Sequence, residues 1–177
     1  QHTQSDDLHE ATLDWLAERD ESRPFFLYVH SMNPHAPYRA PDPFRTRFAG
    51  NVDPSDRASY SDIHALARGP VSPELLEKLK ALYDAEIAAN DHALGTLLDD
   101  LRDRGLYDNT LILFLSDHGE LAGAHGLRGK QWPYEESVGI PLIVCDPRYP
   151  ARAGTRLTTP TSSEDLFPTL LGLANLR

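Results

Sequence analysis

The chain has 177 residues, 40% hydrophobic and 25% charged, enough for a single domain with a core of its own. A formal net charge of −10 argues against nucleic-acid binding, which needs a basic surface to neutralise phosphates. The lone cysteine excludes an internal disulfide framework and a Cys-rich metal site, and no apolar run approaches the roughly 20 residues of a membrane span. No stretch has the pattern of a signal peptide. Because the chain starts at Gln1 rather than Met, the compartment stays open between cytoplasm, periplasm and secretion.

The first periodic segment covers residues 4–20. Leu8, Ala11, Thr12, Trp15 and Leu16 recur at helical spacing, and Ser5, Asp6 and Asp7 suit a helix start. Phe25–Ser31 (FFLYVHS) reads as a buried strand, short and almost continuously apolar. From Met32 to about Pro70 periodicity is lost among prolines, which predicts a long functional loop. Ser72-Pro73 then opens a helix of about 30 residues with Leu75, Leu79, Leu82, Tyr83, Ile87, Leu94, Leu97, Leu98 and Leu101 inward and an end at Gly105, a length that leaves open a kink or break near Asn90. Strands are predicted at Thr110–Ser116 and Ile140–Cys145, a helical turn at Tyr134–Ser137, a weak edge strand at Arg156–Thr161 and a closing helix at Ser163–Ala174. Helix, short turn and strand in succession indicate a layered α/β unit. With no linker or repeat, residues 1–177 read as one domain.

The chemistry concentrates in Leu111–Lys130. A fully apolar strand runs into Ser116, Asp117, His118, Gly119 and Glu120, with His125 and Lys130 beyond. A carboxylate and an imidazole at a strand end suit metal binding or acid–base work. The same pair also suits a capped turn with a solvated histidine, and local chemistry leaves both readings open. His35, between Pro34 and Pro37, follows an apolar run and so could face the same edge. Cys145-Asp146-Pro147-Arg148 approaches a Cys-x-Pro-x-Arg nucleophile motif but has Tyr149 where arginine is required, so Cys145 reads as a small buried hydrophobe.

Taken in order, several segments resemble the C-terminal half of the sulfatase catalytic domain, in the alkaline-phosphatase superfamily. They are Pro24–Val29, Pro34-His35-Ala36-Pro37-Tyr38, Leu82–Ile87 with Asp91, Gly105–Thr110, Asp117-His118-Gly119-Glu120 with Gly126 and Lys130, Tyr134-Glu135-Glu136, Ile140–Val144, and Asp165–Leu171. The resemblance implies a three-layer α/β/α sandwich around a mostly parallel sheet, here lacking its N-terminal strands. It implies a sulfuric ester hydrolase with a divalent metal, calcium or manganese, and a formylglycine nucleophile. Asp117 and His118 would be metal ligands. His35 and Lys130 would be catalytic groups on the sulfate oxygens and leaving group, and His125 would join them in binding substrate. The Asp-His pair is similar to bacterial choline-sulfatase and phosphonate monoester hydrolase branches, and an imidazole ligand suits a manganese-like ion better than calcium.

The formylglycine motif is absent from the sequence and is expected upstream of Gln1, so the chain alone is expected to be inactive. The expected partner is a small sulfate ester, with self-association possible through uncovered apolar surface. A phosphonate monoester or phosphodiester hydrolase, and a non-catalytic domain that keeps the fold, are the competing readings.

Overall fold

The computed structural model describes residues 5–56, 58 and 72–176. The N-terminal half is laid against one long helix. Helix α1 spans Ser5–Glu18, α2 Phe44–Ala49 and α3 Pro73–Asp103. Strand β1 (Ile112–Leu115), the short helix α4 (Glu135–Val138), strand β2 (Leu142–Cys145) and helix α5 (Leu166–Leu173) follow.

Helix α3 begins where the sequence predicts. Ser72 is extended, its Oγ accepts the Leu75 N–H at 3.2 Å, and Pro73 occupies the first helical position. It ends at Gly105, whose φ of +67° is the left-handed conformation that closes helices. No break occurs near Asn90, and α3 runs 31 residues without interruption. Packing along its length holds it straight. Leu97 and Leu101 meet Leu16 of α1, while Leu82, Ala85 and Ala89 meet the segment from Ala36 to Val52. The buried face also differs from the expected leucine stripe. Ala85, Glu86, Ala89 and Ala93 are buried, whereas Ile87 is exposed. Small side chains there let the loop backbone approach the helix closely. Within the expected loop, α2 packs on α3 through Ala49; residues 57 and 59–71 of that loop lie outside the described residues.

Phe25–Ser31 is not a strand in the structure. It carries strand-like alternation, with Phe25, Leu27 and Val29 half-buried and Phe26, Tyr28 and His30 exposed, but it joins no ladder among the described residues. Phe25 anchors it by an edge-to-face contact with Trp15, ring centroids 5.9 Å apart. The strands described are β1 and β2, paired antiparallel with Ile112 opposite Cys145 and Leu115 opposite Leu142. The expected mostly parallel sheet and its third layer are therefore not formed among the described residues; two strands that follow each other across a returning loop pair antiparallel. Arg156–Thr161, expected as an edge strand, is exposed and irregular. The closing helix is shorter than expected, preceded by a 3-10 turn at Ser163–Asp165. Its Phe167, with Ile143 and Val144 of β2, stands exposed. No helix among the described residues is long and apolar enough to cross a membrane.

Candidate active site

The loop after β1 is cross-tied at almost every step. Gly119 N–H donates to Ser137 O at 2.7 Å, Leu121 N–H to Gly129 O at 3.0 Å, and Gly123 N–H to Leu127 O at 2.9 Å. The Glu120 carboxylate accepts from Gly129 N–H at 2.6 Å and Ala122 N–H at 3.2 Å. Buried Leu121 pins the centre. Ser137 Oγ donates to Lys130 O at 3.0 Å, which ties α4 to the end of the loop. Gly119 is required by close approach, because a Cβ there would lie 2.1 Å from Glu136 O.

This frame brings Asp117, His118 and Lys130 together. The His118 Nδ1 faces Gly119 O at 2.8 Å, and a carbonyl only accepts, so Nδ1 carries the proton. Its Nε2 lies 2.6 Å from Lys130 Nζ and 3.5 Å from Asp117 Oδ2. An ammonium only donates, so Nε2 presents its lone pair. The imidazole is thus held by its back nitrogen, with its front nitrogen turned toward Lys130 and Asp117. The Asp117 side chain is 69% exposed.

His125 takes different partners from this trio. It adopts φ +57°, stacks on Tyr134 with ring centroids 4.0 Å apart, and meets Glu136 Oε2 at 3.3 Å. The Glu136 carboxyl is held below the ordinary range by its own backbone N–H and then by His125.

His35 stands on a second wall, the Ser31–Ala40 segment. Its backbone N–H donates to Met32 O at 2.8 Å and its Nδ1–H to Ala36 O at 2.8 Å. That segment rests on α3 through Glu86, which is 1% exposed and accepts from the Asn33 side-chain amide and the Arg39 N–H. Burial pushes the Glu86 carboxyl up, against the lowering effect of those donors. One turn on, Asn90 Oδ1 accepts from Ser31 Oγ at 2.8 Å. Tyr38 of this segment and Tyr83 of α3 meet edge to face, with ring centroids 5.9 Å apart. Burial, followed by the Glu120 charge, raises the pKa of both phenols.

Sequence reasoning missed Glu86. Its signal was present: a carboxylate four residues after Leu82 and seven before Ala93, on the buried stripe itself. Cys145 behaves as expected, half-buried at the end of β2 with Sγ 3.6 Å from the Tyr107 hydroxyl. Asp117 and His118 offer a carboxylate and an imidazole, a pair of donor types found around divalent cations. No group of three or more His, Cys, Asp or Glu side chains is assembled for a metal among the described residues.

The model of the family described as Sulfatase matches residues 1–176. The chain belongs to the sulfatase family. This sulfatase-family chain is 32% identical over 180 residues to an arylsulfatase of Clostridium perfringens (strain 13 / Type A), covering 93% of itself and 37% of that protein. It is 34% identical over 171 residues to a choline-sulfatase of Rhizobium meliloti (strain 1021), covering 89% of itself and 33% of the relative. The crystal structure of a phosphonate monoester hydrolase of Agrobacterium radiobacter superposes with a TM-score of 0.81 at 29% identity, covering 99% of this chain and 40% of that one. The fold is therefore of the sulfatase and alkaline-phosphatase α/β type, and the chain spans little more than a third of the length of these relatives.

Proposed function

We propose that this chain supplies one part of the active site of a sulfuric ester hydrolase, within a three-layer α/β/α sandwich whose mostly parallel sheet is completed outside this sequence. The contact of His118 Nε2 with Lys130 Nζ at 2.6 Å, beside Asp117, is the observation that carries the reading. A strand end presenting a carboxylate, an imidazole lone pair and a cation suits an ester whose charge spreads over several oxygens. Asp117 and His118 would hold a divalent metal, manganese or calcium, which when bound would supply Lewis-acid stabilisation of the developing charge. Lys130, oriented by Ser137 through its backbone, would donate to a sulfate oxygen or the leaving oxygen. His35, from the α3-supported wall, would contact the same group through its imidazole. His125, stacked on Tyr134, would bind the outer part of the substrate. The sequence holds no Cys/Ser-x-Pro/Ala-x-Arg motif, so the formylglycine that attacks sulfur in this reading comes from sequence not present here.

The test is turnover of an aryl sulfate by the full-length protein carrying this chain. We expect hydrolysis that Lys130→Ala or Asp117→Ala reduces by about 100-fold or more. Unchanged turnover in both variants would sink the assignment and favour a non-catalytic domain. Residues 1–177 alone are expected to give no turnover. The phosphonate monoester hydrolase neighbour favours a second reading, hydrolysis of phosphonate or phosphate esters at the same residues. Faster cleavage of an aryl phosphonate than of the aryl sulfate would select it.

A further inference from the structure

We propose that Glu86 is a positioning residue for His35: with Asn90 it forms a polar rail on α3 that fixes the Ser31–Ala40 wall of the site. The inference rests on the reading above, in which His35 contacts the anionic group of the substrate. Four observations converge on it. Glu86 is 1% exposed yet lies on the apolar face of its helix. Buried carboxylates are expensive without partners, and this one takes donors from both sides of His35. Its Oε2 accepts from the Asn33 side chain, two residues before His35, and its Oε1 accepts from the Arg39 N–H, four residues after. The Ala40 N–H also donates to it. Asn90, four residues on and therefore on the same helical face, accepts from Ser31 Oγ. The loop between these attachment points has two prolines, Pro34 and Pro37, and no sheet ladder among the described residues to hold it. A helix packed against α1 and α2 thus supplies the anchorage that a sheet ladder would otherwise give, as substrate-contacting groups need support from ordered neighbours.

The donor–acceptor pair can be inverted to test this in the full-length protein. Asn33→Asp places a second carboxylate against Glu86, and we expect kcat/KM for the ester to fall by about 10- to 100-fold. Adding Glu86→Gln restores a donor facing an acceptor, and the double variant should recover most of that loss. Recovery by the double variant also supports the proposal if Asn33→Asp alone fails to fold. A folded Asn33→Asp variant of unchanged kcat/KM, or a folded double variant no better than the worse single variant, would overturn it. Hydrogen exchange at the Arg39 amide gives a readout independent of activity. Protection in the parent, lost in Asn33→Asp and regained in the double variant, is the expected result, and an unprotected parent amide would overturn the rail. Should the parent hydrolyse neither sulfate nor phosphonate esters, the functional reading fails, while the Arg39 exchange still decides whether Glu86 holds the loop.

Discussion

The two walls of the site are built in opposite ways. The His35 wall is irregular backbone fixed from behind by a buried carboxylate on a long helix. The Lys130 wall is a loop fixed by its own backbone, with Asp117 and Lys130 out toward water. Glu86 is 1% exposed, whereas the Asp117 side chain is 69% exposed. The first wall depends on a group that is costly to bury and costly to remove, because its loss orphans several donors at once. The second depends on close approach of peptide groups, Gly119 to Glu136 above all. Disturbing the first should therefore act on stability, and disturbing the second on geometry.

Replacing Glu86 with Ala should have the largest effect. The Arg39 and Ala40 N–H groups and the Asn33 amide would each lose an acceptor, at about 1–3 kcal/mol for each one left buried. Urea unfolding measures the sum. Gly119→Ala comes next, because its Cβ would overlap the Glu136 carbonyl and force the loop away from α4. A cost of about 1–3 kcal/mol is expected, together with separation of Lys130 from His118, visible in the His118 imidazole resonances. Ser72→Ala removes the α3 N-cap and should cost about 1 kcal/mol while leaving both walls in place. Glu136→Gln should leave the melting temperature unchanged and alter the ring-current shifts of the His125–Tyr134 stack.

Acid sharpens the same contrast. Burial raises the folded pKa of Glu86 above its ordinary value of 4.5, so its contribution to stability is complete below that value and is lost as pH rises through the raised pKa. The parent's stability relative to Glu86→Gln should therefore shrink as pH rises from 4. Asp56, hydrogen-bonded to Lys78 beside α2, shifts the other way. Its pKa is lowered from 3.8, so its contribution is present above that value and lost as pH falls through the lowered one. Parent-minus-variant unfolding energies should fall with rising pH above pH 4.5 for Glu86→Gln and rise with pH below pH 3.8 for Asp56→Asn, and slopes of the same sign would refute the contrast.

The elements read most reliably are those whose signal is local. Ser72 and Pro73 start α3, Gly105 ends it, and the apolar runs at 112–115 and 142–145 form β1 and β2. Asp117, His118 and Lys130 were picked out by type and order, and the fold does bring them together. Phe25–Ser31 has strand composition and strand alternation, yet a strand exists only through a partner, and no partner is encoded locally. The inward face of α3 was also misread at Ile87, because periodicity ranks leucine and isoleucine above alanine, whereas close backbone approach selects alanine.

By itself, then, the sequence determined the family, the ends of α3 and the polar cluster after β1, because these follow from residue type and short-range spacing. Tertiary structure alone decided which strands pair, which nitrogen of His118 faces outward and why Glu86 is buried. Each of those depends on a partner distant in the chain: Leu142–Cys145 for β1, Lys130 for His118, and Asn33 with Arg39 for Glu86.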